Sequence, residues 1–405
     1  MRILRLVRDR GEISRTEISK SINLHKASIT DHVAKLIRSG FLEETRKVEA
    51  NERGGRRRTL LRFRPLAGLV AGIDIRKTAT TVALTDLNAQ VLQEKSFQHR
   101  IDTSAKEVLA GAASTIHTLL SAAGFAKSKL VGIGIGVQGV IDYTTNTLVL
   151  AYNKQSWQGE VLSANLEAEF QVPVYVENDV KAMTLGEYLL GAAKGQQDVV
   201  HIWVGDGLGA GIMINGHLHH GITSSAGEIG FNGPEFASVY REKFPLTYRD
   251  QVMFGQILTD ANFIESYRRA AGKSAEEKLS VSDITESAGK GDRAARQVVD
   301  EFVSMLSMLC IPMVNTLNPE VIVIGGELVQ SFPAFATELR DQIHRDLLAP
   351  PAEAVKIQPA MLGERGVILG AAGLVLYELF EPLHSFSLRD RRSKNAEKID
   401  EEGNN

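Results

Sequence analysis

Across residues 1–65 the apolar positions recur at helical spacing, then give way to short strand-like runs. Ile3, Leu4 and Val7 form a stripe that predicts a helix over residues 2–10, ended by Gly11. Because the chain opens inside this helix, either the helix is short or further residues precede it in the natural protein. Ser14, followed three residues later by Glu17, makes a capping box for a second helix running to Ile22. Asn23 and Leu24 form the turn. Ile29, Val33, Leu36 and Ile37 mark the inner face of a third helix from Lys26 to Ser39, stopped by Gly40. Two strand-like pieces, Phe41–Arg46 and Thr59–Arg64, flank the polar loop Val48–Arg58. Three helices followed by a polar-tipped hairpin predict a winged helix-turn-helix.

From Ala67 the period changes. Residues 69–76 and 80–86 predict a β-hairpin, with a third strand near 90–98 and a helix over 104–124. Strand Val131–Val137 enters a glycine-rich turn, Val174–Val176 is a short buried strand, and a helix over 179–192 closes the first half. A second set begins at Val199 with VVHIWV, a glycine-rich turn and AGIMIN. It continues through a helix over 293–317, the strand Val321–Ile324 and a last helix after Gly366. Two halves that each open with a hairpin and then alternate strand with helix predict an α/β body with a duplicated core. The expected domains are a DNA-binding module at 1–65, a first lobe at 66–192 and a second at 193–386. The charged, apolar-poor tail 387–405 is expected to be disordered.

Composition narrows the class. The chain has 405 residues, enough for two or three domains. No uninterrupted apolar run approaches the ~18 residues of a membrane span, so none is expected. The opening MRILRLVRDRGEISR is too charged for a secretory signal. A single cysteine, Cys310, excludes an internal disulfide and a multi-cysteine zinc site, and is expected as a small buried residue of an apolar helix. A reduced cytoplasm fits these features.

Charge is unevenly placed. Residues 1–65 hold 17 Lys and Arg against 8 Asp and Glu, a net +9, so the rest carries −12 of the overall −3. A basic module on an acidic body suits a nucleic-acid reader. In such a module the third helix enters the major groove, and here its leading residues are His25, Lys26, Ser28, Thr30 and His32. Lys26 or His32 can donate to guanine; Ser28 and Thr30 can bond bases or phosphate. Arg15 is placed for backbone phosphate. In the wing, Arg53 and the run Arg56-Arg57-Arg58 surround two glycines, a tip able to follow phosphates or enter a narrow minor groove. The plain alternatives are a solvated basic face and an ordinary helical hairpin.

The body carries short motifs at its predicted strand ends. They are Asp74-Ile75-Arg76-Lys77-Thr78, Gly136-Val137-Gln138-Gly139-Val140, Asn153 with Trp157, and Glu177-Asn178-Asp179. Further on come Gly205-Asp206-Gly207-Leu208-Gly209-Ala210-Gly211, Glu228-Ile229-Gly230-Phe231 and Gly325-Gly326. In this order behind a helix-turn-helix, residues 2–380 resemble the ROK family of repressors, open reading frames and sugar kinases, and within it the xylose and N-acetylglucosamine repressor branch. The resemblance implies an N-terminal winged helix-turn-helix on a two-lobed actin-like ATPase (ribonuclease H-like) α/β body with a cleft between the lobes.

The nucleotide side departs from the family. Its first phosphate turn reads Asp-x-Gly-Gly-Thr, where glycines let backbone N–H groups reach phosphate. Asp74 and Thr78 match, but Arg76 and Lys77 replace both glycines and obstruct the turn; the alternative is that these cations meet phosphate directly. In the second turn Asp206 replaces a threonine, placing a negative charge beside Gly207 where a triphosphate would lie. Gly325-Gly326 matches the adenosine motif, or is a plain strand–helix turn. Asp74, Thr78, Gly207, Gly325 and Gly326 are therefore read as vestiges of a degenerate ATP site, and no cofactor is expected.

The sugar side is better kept. The Gly139 turn resembles Pro-Gly-x-Val with Gln138 in the proline's place, and Asn153 and Trp157 match the segment that follows. In the family's kinases the Glu-Asn-Asp aspartate is the general base and the asparagine bonds the sugar. The resemblance thus assigns Gly139, Asn153, Asn178, Asp179 and Glu228 to a sugar, with Asp179 as a vestigial base. A carboxylate also accepts hydroxyl hydrogen bonds without catalysis, and Asp179 opens a helix that it could simply cap. The family's zinc motif needs one histidine and three cysteines. Phe231 replaces the histidine and no cysteine cluster follows, so no metal is expected. Gly255-Gln256-Ile257-Leu258 stands where the family has Gly-Cys-Leu-Glu, which removes a second glutamate. His217, His219 and His220 are expected at the surface or a pocket rim.

The implied function is a sugar-responsive DNA-binding regulator, a repressor of carbohydrate-metabolism genes. A homodimer or dimer of dimers would bind double-stranded DNA at an inverted repeat. A sugar or sugar derivative would alter lobe closure and hence the spacing of the DNA modules. The alternatives are an ATP-dependent sugar kinase with Asp179 as base, and a regulator that needs no effector.

Overall fold

The computed structural model describes residues 2–48, 58–233, 253–347 and 349–380. It divides into two compact units, Met1–Glu177 with Ala371–Asn405, and Asn178–Gly370.

The first unit opens with helices α1 (Arg2–Arg10), α2 (Arg15–Ile22) and α3 (Lys26–Arg38). Helix α1 buries Ile3, Leu4 and Val7, and α3 buries Ile29 and Val33. The expected capping box forms: the Glu17 N–H donates to the Ser14 hydroxyl and the Ser14 N–H donates to the Glu17 carboxylate. The bonds from Ser14 hold the Glu17 carboxyl below its usual range. Asn23, at φ 53°, ends α2 in the left-handed region that asparagine tolerates. The wing is three-stranded: β1 (Glu12–Ser14), β2 (Leu42–Val48) and β3 (Arg58–Phe63), in the order β1-β3-β2. The sequence pattern shows two of these strands; β1 is three residues wedged between Gly11 and the Ser14 cap, too short to have a period.

Behind it lie β4 (Leu69–Ile75), β5 (Ala79–Asp86), β6 (Val91–Gln98), α4 (Ala105–Ala122), β7 (Leu130–Val137), β8 (Val140–Asp142), β9 (Thr147–Leu150), α5 (Ala164–Phe170) and β10 (Val174–Asn178). Their sheet order is β10-β7-β4-β5-β6. Helix α4 covers it, packing Val108, Leu109, Ala112 and Ile116 into a core with Ile73, Ile135 and Val176.

The second unit begins with α6 (Asp179–Leu190), then β11 (Val199–Val204), β12 (Leu208–Ile214) and β13 (His217–Leu218). After α7 (Phe254–Ile257) come α8 (Asp260–Ala271), α9 (Val281–Gly289), α10 (Arg293–Leu317), β14 (Val321–Gly325), α11 (Glu327–Ser331), α12 (Phe335–Asp346), α13 (Ala349–Ala354) and β15 (Lys356–Pro359). The order β13-β12-β11-β14-β15 repeats that of the first sheet, third-second-first-fourth-fifth. The leading hairpins are antiparallel in both, and the first and fourth strands pair in parallel. This is the duplicated core expected from the pattern. The line between units falls before α6 because that helix packs on the second sheet. Gly209 and Gly211 have no Cβ there, and one would lie 3.1 Å from Val180 and 2.0 Å from Thr184.

Helix α10 is long and apolar enough to cross a membrane, although its apolar run is interrupted. It is the central helix of the second unit, with Phe302, Leu306 and Cys310 packed against Ile202, Ile322 and Ile324. Burial pushes the Cys310 thiol up to about 12, which keeps it protonated and inert.

The last helix, α14 (Gly366–Phe380), starts in the second unit and ends in the first. Its beginning lies so close to α6 that a Cβ on Gly370 would sit 1.7 Å from the Ala182 carbonyl oxygen. At its far end the Phe380 ring meets Phe63 edge-on, centroids 5.9 Å apart, and the Arg8 guanidinium lies 4.1 Å above it.

Candidate functional site

The DNA-facing candidates lie on the outer side of α3. His25, Lys26, Thr30 and His32 are exposed and Ser28 is half-buried, while Ile29 and Val33 point inward. The Thr30 hydroxyl donates to the Lys26 carbonyl at 2.9 Å, so its proton is committed to its own helix and the oxygen is left to accept. Asp31 shares the exposed stretch. Its carboxylate, not signalled by the basic pattern of the helix, can accept from a cytosine amino group. Arg15 departs from expectation: it pairs with Glu44 at 2.6 Å, bracing α2 against β2 rather than standing ready for phosphate. Arg58 is exposed at the start of β3. Arg53, Arg56 and Arg57 lie outside the described residues.

In the first unit the Arg76–Thr78 turn joins β4 to β5, closed by a 2.9 Å bond from the Arg76 N–H to the Ala79 carbonyl. None of its residues has a positive φ. The backbone is therefore one that side-chain-bearing residues adopt, not the glycine cradle of a phosphate turn. Arg76 pairs with the buried Asp74 at 2.8 Å, so its charge is already engaged. Thr78 is exposed at the end of the turn. Gly139 has φ 129°, and a Cβ there would lie 2.2 Å from the Leu150 carbonyl oxygen. Its glycine is required by β9 passing close by. The Asn153 amide donates to the Gln138 side chain, linking the two motifs expected to touch sugar. Trp157 is wholly buried, its indole N–H donating to the Thr103 carbonyl at 2.9 Å, and acts as a core residue.

In the second unit the cap of α6 is Asn178, not Asp179: the Asn178 Oδ1 accepts from the Lys181 N–H at 3.1 Å. The helix starts one residue earlier than a cap at the carboxylate would put it. Asp179, its first residue, accepts at Oδ1 from the next N–H, of Val180, at 2.9 Å. Glu228 precedes the short 3-10 turn Ile229–Phe231. Phe231 is half-exposed. His217 and His219 are exposed and His220 is half-buried.

Two glycine turns of this unit lie beside Trp203 and a group of carboxylates. The Trp203 indole lies over Gly325, where a Cβ would come within 2.4 Å of the ring, and its Nε1 is 2.9 Å from the equivalent position on Gly205. Thus the indole crowds Gly205 and Gly325. Gly326, at φ 126°, approaches the Val204 carbonyl oxygen so closely that a Cβ would sit 1.9 Å away, which explains its glycine without a ligand. Gly207 has open space above it. Asp260 is pushed up to about 6 by burial first, and then by Glu327, Asp206 and Glu364. Four carboxylates would oppose a polyphosphate. Trp203, Asp260, Glu327 and Glu364 escape the sequence reading. Only tertiary packing gathers them, although the large indole two residues before Gly205 is a visible signal.

Among the described residues, no group of three or more His, Cys, Asp or Glu side chains is placed to hold a metal ion.

The ROK family pattern matches residues 70–378 and the MarR family pattern residues 1–50. A xylose repressor of Caldicellulosiruptor bescii is 28% identical over 392 residues, 93% of this chain and 95% of that one. A glucokinase of Halalkalibacterium halodurans is 26% identical over 312 residues, 75% of this chain and 94% of its own. The crystal structure of a ROK family transcriptional regulator, a homologue of the E. coli MLC protein, has a TM-score of 0.81 at 22% identity, covering 97% of this chain and 98% of that one.

Proposed function

This chain belongs to the ROK family, and from that premise we propose that it is a sugar-responsive transcriptional repressor of carbohydrate-use genes. The family holds sugar kinases as well as regulators, and the regulators, unlike the glucokinase, match this chain along nearly its whole length. The observation that carries the reading is a join. A helix-turn-helix module with exposed Lys26 and His32 precedes a body in which Trp203 crowds Gly205 and Gly325 and four carboxylates, Asp206, Asp260, Glu327 and Glu364, gather nearby. The first half can bind DNA; the second is unsuited to hold a triphosphate.

In this reading Asn178, Asp179 and Glu228 accept and donate hydrogen bonds to sugar hydroxyls, with Gly139 and Asn153 as the further sugar neighbours that the resemblance implies. Asp179 retains the base's position but has no phosphoryl donor to work with. No metal or nucleotide is needed. The protein acts in the cytoplasm as a homodimer on an inverted repeat, and the sugar works by binding one DNA-spacing state better than another. The continuous helix α14 supplies a covalent route from the α6 end of the body to the DNA-binding module.

A thermal-shift screen of pentoses, hexoses and their phosphates tests the sensing half: at least one sugar raises the Tm, and Asp179→Asn abolishes the rise. A coupled assay with Mg-ATP tests the rival. The kept Asp179 and the Gly205–Gly211 turn favour a kinase; steady sugar-dependent ATP turnover, lost in Asp179→Asn, would establish it and end the repressor-only reading.

A further inference from the structure

Lys181 is among the largest fully buried side chains of the protein, 1% exposed. It stands in the first turn of α6, where the helix dipole favours negative charge. Both facts make a cation there costly unless it is held by specific bonds. Among the described residues it has no ion pair. Its Nζ donates to the Ser224 carbonyl oxygen at 2.5 Å, and its backbone N–H donates to the Asn178 side chain.

Ser224 lies in a loop that needs holding. It is buried with φ 60°, a left-handed conformation that serine adopts only under strain. Gly221 and Gly227 on either side are also left-handed, at φ 71° and 90°. Three such residues in seven do not fold back on themselves for reasons of local preference. One side of the loop is hung on β12, where the Ala210 N–H donates to the Gly227 carbonyl at 2.9 Å. The other is hung on α6 by the Lys181 ammonium. The residue after Gly227 is Glu228.

We propose that Lys181 is a positioning residue for the sugar site: it fixes the Ser224 loop to the start of α6, so that Glu228 is presented beside Asn178 and Asp179 before a ligand arrives. One residue bonds both the cap residue Asn178 and the loop that carries Glu228. Buried as it is, Lys181 acts through these partners and does not touch the sugar. This inference rests on the sugar-sensing reading, and its test separates the two.

The variant is Lys181→Met, which keeps most of the apolar length and volume of the side chain and removes the ammonium. The Ser224 carbonyl loses its donor, so the Tm is expected to fall modestly while the rest of the second unit keeps its exchange protection. Two measurements on the full chain follow. Hydrogen exchange at the amides of residues 221–228, without any ligand, is expected to speed up about tenfold or more, the effect of removing one charge-assisted bond. Calorimetric titration with D-xylose, D-glucose and N-acetylglucosamine is expected to show Kd weakened about tenfold for whichever sugar binds the parent protein. Lys181→Gln, one bond shorter but still a donor, is expected to recover part of both. Unchanged loop exchange overturns the clamp whatever the sugars do. Faster exchange with an unchanged sugar Kd overturns its role in the site. A lower Tm with exchange accelerated throughout the second unit would mean a merely structural lysine. A parent protein that binds no sugar, with loop exchange still faster in the variant, sinks the sensing reading and leaves the clamp standing.

Discussion

Asp260 sits among carboxylates beside the Gly205–Gly211 turn, its N–H bonded to the Gly205 carbonyl. Its carboxyl is pushed up to about 6 by burial and then by Glu327, Asp206 and Glu364, against an ordinary value of 3.8. In the unfolded chain it ionises first, so stability falls as pH rises between about 4 and about 6, and the penalty stays constant above that window. Asp260→Asn is therefore expected to raise the Tm at pH 7.5 and to leave it unchanged below pH ~4. Equal Tm values for variant and parent at pH 7.5 would remove the cluster from the account. Gly139 is a second test. With φ 129° and the Leu150 carbonyl 2.2 Å from the Cβ position, Gly139→Ala is expected to cost about 1–3 kcal/mol in urea unfolding; a neutral outcome would mean that β9 can move aside. Such neighbours were beyond reach of the sequence. Gly139 was legible as a motif, but nothing local says that Leu150 folds back onto it. The cap of α6 is a similar case: the helix begins at Asp179 as expected, but Asn178 and Asp179 are both good caps, and only the strand before them decides which one serves.

Among the elements, α3 and the wing carry the DNA prediction. Replacing Arg56, Arg57 and Arg58 together by alanine is expected to weaken binding to all duplexes and to reduce the salt slope by about 0.9 for each phosphate no longer neutralised. Replacing Lys26 or His32 is expected to change base preference with little effect on that slope. Filter binding across a salt series separates the two; an unaltered slope in the triple variant would take the wing off the DNA. Elements with a strong period were legible: α1 to α4, α6, α10 and the paired strands β4–β5 and β11–β12. The segment from 254 to 346 was not, apart from α10 and β14. Its helices α8 and α9 carry clear start signals, the Thr259 cap and the Ser280–Asp283 capping box, of the same kind that marked Ser14 and Glu17. Their apolar faces are thin, with Phe263 and Tyr267 alone buried on α8, so the stripe does not rise above the polar residues around it. Strands β13 and β15 are two and four residues long, and only the sheet they join defines them.

At the scale of the molecule, two sheets of identical strand order and one helix shared by both units are what the chain builds. The duplication was legible because each half opens with the same hairpin-then-helix rhythm. The shared helix was not, since α14 is apolar all round and gives no sign of which partner takes which end. Its terminal Phe380, 3% exposed beneath Arg8 and against Phe63, anchors the DNA-binding module. Phe380→Ala is expected to cost about 3–5 kcal/mol locally, seen as faster amide exchange in α1 and β3; unchanged exchange there would show that the module stands without it. The central claim is that one chain reads DNA and senses sugar without transferring phosphate. Its most direct test is a fluorescence-anisotropy titration of the protein on a duplex that it selects from a randomised pool, repeated with each of a panel of sugars. The account predicts a selected inverted repeat whose affinity changes tenfold or more with one sugar and is indifferent to Mg-ATP. Selection of no preferred duplex, or an affinity that no sugar alters, would contradict it.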